Sequence, residues 1–119
     1  MVSPQAGALF ENIILQELLR NSDNHQLNWR ISFFRTRDGE EIDFVVENGA
    51  QQEVLVECKL GGGDPLRIKS GEEPQRIMGA CPLVIVGITT SDKTWKHNVY
   101  TSALPTIALF IEKFFKMGQ

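Results

Sequence analysis

The fold is decided by residues 41–60, which read EIDFVVENGAQQEVLVECKL. Two runs rich in apolar and β-branched residues, 41–47 and 53–60, lie on either side of the dipeptide Asn48-Gly49. This dipeptide is typical of tight turns between antiparallel strands, because both residue types tolerate positive φ angles. Residues 41–60 therefore predict a β-hairpin.

The sequence on both sides of the hairpin predicts a mixed sheet flanked by helices. Ser3-Pro4 is typical of a helix start, and an apolar face follows it at the helical period, made by Gly7, Phe10, Ile14, Leu15 and Leu18. Residues 21–26 predict a polar loop and residues 37–40 a tight turn. The full set of predicted elements is a helix at 4–21, strands at 29–36, 41–47 and 53–60, a helix at 72–78, a strand at 82–89, an edge strand at 97–103 and a helix at 104–116. This order, α-β-β-β-α-β-(β)-α, predicts an α/β protein with an α+β type of mixed sheet.

Length and composition predict one globular domain that spans residues 1–119. Hydrophobic residues make up 42% of the chain, enough for a core, and the formal net charge is −3. That charge argues against a generally basic nucleic-acid coat protein. It leaves a nuclease open, because metal-binding carboxylates are part of the count.

The sequence also bears on the compartment. No apolar run reaches the roughly 18–20 residues that a membrane span needs. Residues 1–6, MVSPQA, lack the basic and apolar blocks of a secretory signal. With only Cys58 and Cys81 a disulfide framework is not expected. The cytoplasm is the predicted compartment, without membrane attachment.

Charged residues interrupt the apolar pattern at four positions. Asp43 lies within an otherwise apolar strand, and Glu57 and Lys59, two residues apart in the next strand, project from one face. Glu11 lies on the apolar face of the first predicted helix. Unpaired charge on a half-buried surface is costly, so these residues need partners.

A divalent cation would meet that need. Mg²⁺ prefers oxygen ligands, commonly one or two carboxylates with several retained waters, and Asp43 and Glu57 come from neighbouring strands. Lys59 would orient the attacking water or stabilise a developing oxyanion, and Glu11 would act through a metal-bound water or a hydrogen bond to Lys59. The alternative is a structural ion-pair cluster at a sheet edge, with Glu11 as an ordinary helix charge.

Three further residues, Arg35, Arg37 and Gln75, are weaker candidates for contact with substrate. Arg35 would bind a phosphate group or pair with a carboxylate such as Asp43 or Glu57. Gln75, on the predicted helix at 72–78, would contact substrate or be solvated. The basic residues available for phosphate contact are Arg35, Arg37, Lys59, Arg67 and Lys69.

The chain also resembles a known family. Ile42-Asp43 followed by Val56-Glu57-Cys58-Lys59 resembles the D…ExK signature of PD-(D/E)XK nucleases. Glu11, in Leu-Phe-Glu-Asn, is similar to the helical glutamate of several branches, including the archaeal Holliday-junction resolvases. More narrowly, the chain resembles the C-terminal domain attached to many prokaryotic AAA-type ATPases. The segments that carry this likeness are 7–12, 33–44, 56–59 and 104–105.

The resemblance implies a restriction-endonuclease-like core and a Mg²⁺ or Mn²⁺ site. Asp43, Glu57 and the backbone carbonyl of Cys58 would bind the metal, Lys59 would be the catalytic lysine and Glu11 an auxiliary acid. Ile42 stands where the family's name has proline, a departure shared by many members.

The implied function is hydrolysis of phosphodiester bonds in DNA. The alternative is a catalytically silent module that docks on or regulates an AAA-type ATPase. That ATPase part is not within the 119 residues, so the resemblance predicts a fragment of a longer fusion or a stand-alone relative. Analogy with the resolvases predicts a homodimer.

Overall fold

The computed structural model describes residues 4–35, 41–59, 81–87, 93–96 and 98–117. Its secondary-structure elements are α1 (Pro4–Asn24), β1 (Arg30–Arg35), β2 (Glu41–Glu47), β3 (Glu53–Cys58), β4 (Leu83–Gly87), β5 (Lys93–Lys96), β6 (Val99–Ala103), a single 3-10 turn (Leu104–Thr106) and α2 (Ile107–Met117). The predicted turn at 37–40 and the predicted helix at 72–78 lie outside the described residues.

One mixed sheet contains the six strands, in the order β1-β2-β3-β4-β6-β5. β1, β2 and β3 are antiparallel neighbours, whereas β3 pairs with β4, and β4 with β6, in parallel. β5 pairs antiparallel with β6 at the far edge. The sheet and its two described helices confirm the predicted α+β class.

The hairpin predicted from residues 41–60 forms as expected. β2 has the predicted bounds, and β3 ends at Cys58. Asn48 holds the turn, because its Oδ1 accepts hydrogen bonds from the backbone N–H groups of Ala50, at 3.0 Å, and Gln52, at 2.9 Å. Gln51 takes the positive φ that the turn requires, at 64°.

Both helices pack on one face of the sheet. α1 buries Phe10, Ile14 and Leu18, as predicted, and α2 adds a second row of apolar side chains, Ile107, Ala108, Ile111 and Phe115. A separate apolar cluster buries the opposite face of the central strands, with Val45, Leu55, Leu83, Ile85 and Val99. β4 is therefore buried on both faces, as its apolar sequence predicts.

The position of one strand and the ends of the two described helices differ from the prediction. The strand predicted as an edge at 97–103 is β6, which lies inside the sheet, and the edge is β5, which the sequence did not predict. The first helix continues three residues past Asn21 into the predicted loop. Its end is held by Ser22, whose buried Oγ accepts a hydrogen bond from the backbone N–H of Trp29 at 2.9 Å. The final helix begins with a 3-10 turn at Leu104–Thr106.

Within the described ranges, no helix combines the length and apolar character needed to cross a membrane.

Candidate functional site at the end of the β2–β3 hairpin

Strand β2 contains a β-bulge at the predicted acid. Ser32 of β1 lies opposite Val45, but Phe34, two residues later, lies opposite Ile42. Asp43 and Phe44 therefore share a single partner, Phe33. Bulges of this kind redirect side chains and are frequent beside active sites.

At this end of the hairpin, hydrogen bonds between β2 and β3 are accepted by two carboxylates instead of by backbone carbonyls. The paired register runs from Glu47 opposite Glu53 to Phe44 opposite Val56. One residue further, the backbone N–H of Asp43 donates to Oε1 of Glu57, at 3.4 Å. The backbone N–H of Cys58 donates to Oδ2 of Asp43, at 2.9 Å. Each carboxylate thus accepts from the opposite strand, and the two acids are neighbours, as predicted.

Glu57 is buried beside a second carboxylate, that of Asp43. Its side chain is only 6% exposed. Burial and the nearby Asp43 carboxylate, with a smaller effect of Glu11, raise its pKa to about 8, against the opposing effects of the Asp43 N–H and Lys59. Glu57 is therefore mostly protonated at pH 7. Added positive charge at this place would favour its ionised form.

Lys59 lies two residues beyond Glu57 along the chain. It follows β3 directly, and its backbone N–H donates to the carbonyl of Val86, at 2.8 Å, which keeps the chain extended past Cys58. Alternation along the strand then directs Lys59 to the side of Glu57. Its charge lowers the pKa of Glu57, which shows that the two groups interact electrostatically.

Cys58 points to the other face and packs against the helix-side core. Burial, followed by the negative charges of Asp43, Glu11 and Glu57, raises the pKa of its thiol. The thiol is therefore protonated and inert at neutral pH, so any metal ligand at this position would be the backbone carbonyl.

Glu11 approaches the acids from helix α1. It lies on the same side of the helix as Ile14 and Leu18, yet its side chain is exposed. Its negative charge raises the pKa values of Glu57 and Cys58. Glu11 therefore lies near enough to Glu57 and Cys58 to influence both electrostatically, and its side chain is on the solvent side.

A divalent cation fits this arrangement through a small ligand set. In the part of the chain that the structure describes, no group of three or more His, Cys, Asp or Glu side chains could hold a metal ion. Asp43 and Glu57 offer carboxylate oxygens, and backbone oxygen and water would complete the shell. This is the ligand set that Mg²⁺ commonly takes in proteins.

The side chains of the weaker candidates lie outside what the structure describes. The backbone of Arg35 lies opposite Glu41 at the end of β1, one strand from the acids, and nothing is described of its side chain. Arg37, Arg67, Lys69 and Gln75 lie outside the described residues.

Phe33 was not among the predicted site residues. Its side chain is 71% exposed, and its ring lies 5.5 Å from that of Phe44, centroid to centroid. A signal was present, because two consecutive aromatic residues, Phe33 and Phe34, would point to opposite faces in a regular strand. If only one face of this strand packs on the core, one of the two rings has to face away from the core.

A pocket of about 270 Å³ lies at the opposite end of the hairpin, between Trp29, Phe115, Glu112 and the turn at residues 48–50. The Nδ1 atom of His25 lies 3.0 Å from a carboxylate oxygen of Glu112 there. The length of β2 separates this pocket from Asp43, so it is not part of the acid cluster.

Comparisons with known proteins show a family match and a similar fold. A family model described as a domain of unknown function, DUF4143, matches residues 6–103. The chain is also similar to a solved structure from Thermococcus gammatolerans, described as a refined half-complex from a tetradecameric assembly of McrB AAA+ hexamers with bound McrC. The TM-score is 0.52 at 17% sequence identity, over 82% of this chain and 27% of the matched chain. At this identity the likeness concerns the fold alone, and the chain spans about a quarter of the matched one. Among curated proteins nothing matches.

Proposed function

This chain belongs to the DUF4143 family, and we propose that it is a divalent-metal-dependent nuclease that hydrolyses phosphodiester bonds in DNA. The observation that carries the proposal is the paired arrangement of Asp43 and Glu57 at the end of the hairpin. Burial and the Asp43 carboxylate raise the pKa of Glu57 to about 8, and a bound cation would offset both effects. Perturbed acids of this kind cluster at functional sites.

Asp43, Glu57 and the backbone carbonyl of Cys58 would hold Mg²⁺ or Mn²⁺. When bound, such an ion lowers the pKa of water and neutralises charge on a phosphate group. Glu57 would lose its proton as the cation binds, because the added positive charge favours the ionised form. Asp43 keeps its carboxylate in place through the hydrogen bond from the Cys58 N–H.

Lys59 and Glu11 have separate roles in the proposed reaction. Hydrolysis requires a water molecule to attack phosphorus while the bond to the leaving oxygen breaks. The Lys59 ammonium, which interacts with Glu57, would donate hydrogen bonds to the charge that develops on the phosphate oxygens. Glu11, exposed on α1, would accept a hydrogen bond from the attacking water.

The partner that we propose is an AAA-type ATPase. The support is the fold similarity to a chain of an AAA+ assembly, together with the resemblance of residues 7–12, 33–44 and 56–59 to the C-terminal domain of such ATPases. In this arrangement the ATPase would deliver DNA to the acid cluster.

Calorimetric titration with Mn²⁺ tests the metal site. We expect Glu57→Gln and Asp43→Asn each to weaken Mn²⁺ binding by at least roughly tenfold, since each removes one of two charged ligands. Glu53→Gln is the matched control, because Glu53 lies on the same face of β3 at its other end, opposite Glu47. Equal Mn²⁺ affinity in the wild type and Glu57→Gln would refute the metal site.

Cleavage assays then separate an enzyme from a docking module. We expect Mg²⁺-dependent cutting of DNA by the wild type, and a loss of roughly 10²-fold or more in Lys59→Met, with Mn²⁺ binding retained. Metal binding without cleavage of linear, branched or single-stranded DNA would contradict the nuclease and favour the non-enzymatic module.

A further inference from the structure

An exposed aromatic residue lies on the strand next to the one that contains Asp43. Phe33 lies on β1, the edge strand next to β2, directly opposite the bulge that contains Asp43. Its side chain is 71% exposed, although burial of a large apolar side chain stabilises the folded protein. A single exposed apolar residue is ordinary on a protein surface, so the position of Phe33 matters more than its exposure.

The ring of Phe33 is held from one side. It packs at 5.5 Å, with a tilt of 46°, on the ring of Phe44, which is itself 2% exposed and part of the helix-side core. A tilted aromatic contact of this kind restrains the ring, and it contributes energy beyond that of the area it buries. Phe33 therefore offers a positioned aromatic surface to solvent, one strand away from Asp43.

Strand β1 has a basic residue at each end, and each lies opposite a glutamate of β2, Glu47 or Glu41. The strand reads RISFFR, so its two charged residues, Arg30 and Arg35, are both basic. Arg30 is exposed at the start of the strand. Aromatic side chains between basic residues suit a nucleic-acid strand, because the bases stack on the rings and the phosphates approach the cations.

We propose that Phe33 stacks on an unpaired base of the substrate, next to the phosphate that would be cut, so that the site takes single-stranded or locally unpaired nucleic acid. Bases within a continuous duplex are stacked on each other and do not offer a free face to a protein ring. This inference rests on the proposed nuclease function for its location beside a scissile phosphate.

Binding of a fluorescent single-stranded oligonucleotide, followed by anisotropy in Ca²⁺, tests the inference. Base–aromatic stacking predicts that Phe33→Ala weakens binding by roughly 5- to 150-fold. Phe33→Trp should bind like the wild type, and Phe33→Leu, which keeps an apolar side chain without a ring, should resemble Phe33→Ala. Leu9→Ala is the matched control, since Leu9 is 59% exposed on α1. A blunt duplex of the same sequence should bind more weakly and show no dependence on Phe33.

Several results would overturn the stacking role. Phe33→Ala with wild-type affinity for the single strand, or Phe33→Leu with full affinity, would exclude stacking. Equal losses on single strand and duplex would exclude a preference for unpaired bases. Unchanged oligonucleotide binding together with altered self-association would assign Phe33 to a protein interface instead.

The two proposals can fail separately. If Mn²⁺ binding and cleavage depend on Glu57 but Phe33→Ala has no effect, only the stacking role fails. If single-strand binding depends on Phe33 while the chain binds no Mn²⁺, the nuclease proposal fails and a nucleic-acid-binding surface remains.

Discussion

The raised pKa of Glu57 predicts an unusual pH dependence of stability in the metal-free chain. Burial, and then the Asp43 carboxylate, raise this pKa from 4.5 to about 8. Between these two values the folded state holds a proton that the unfolded state has released. Stability from Glu57 is therefore fully present below pH 4.5 and is lost as the pH rises through 8.

The size of this effect follows from the shift. For a pKa of 4.5 unfolded and about 8 folded, the free energy of unfolding falls by about 3–4 kcal/mol between pH 5 and pH 8. The titration belongs to the coupled pair of Asp43 and Glu57, since the two carboxylates interact. Glu57→Gln removes the titrating group and keeps the side-chain shape, so its stability should lack this contribution.

The assay is urea denaturation of the wild type and Glu57→Gln at half-unit steps from pH 5 to pH 8, with a chelator present. Subtracting the two stability curves removes the contributions of titrating groups that do not interact with Glu57 and leaves that of the coupled Asp43–Glu57 pair. The difference should change by about 3–4 kcal/mol across this range. Curves that stay parallel to within about 0.5 kcal/mol would refute the buried environment, beside a second carboxylate, assigned to Glu57.

Two further predictions concern the scaffold that positions the site. Ile14 is fully buried under α1, so Ile14→Ala should lower the free energy of unfolding by about 2–5 kcal/mol, measured by urea denaturation. Ile13→Ala, at a neighbouring position that is 39% exposed, is its control, and similar losses in both variants would contradict the assigned orientation of the helix. Ser22→Ala should cost about 1–3 kcal/mol, because it leaves the backbone N–H of the buried Trp29 without its acceptor. An unchanged midpoint of unfolding in Ser22→Ala would show that another acceptor replaces the hydroxyl group.

Local pattern was sufficient for the hairpin and for much of the acid cluster. The bounds of β2 follow from alternation and from the Asn48-Gly49 turn, which act over a few residues. The same alternation placed Glu57 and Lys59 on one side of β3, because successive side chains of a strand point to opposite faces. The helical period likewise identified the buried face of α1.

The local hydrophobic pattern did not predict the order of the strands in the sheet. The predicted edge strand at 97–103 is internal as β6, and β5 at Lys93–Lys96 takes the edge. Parallel pairing of β4 with β6 depends on contacts between segments that are distant along the chain. A period-two pattern reports which face of a strand is buried, not which strand lies beside it.

By itself, the sequence determined the α+β class, the hairpin and the residue types of the candidate site, since these depend on period, turn chemistry and charge. The tertiary structure alone decided the bulge at Asp43, the exposure of Phe33 and the acidity of Glu57. Each of these depends on neighbours in space: the strand partner of Asp43, the side chains around Phe33, and a second carboxylate beside the buried Glu57. The pKa of a carboxyl group depends on the groups that are close to it in space, and these come from different parts of the sequence.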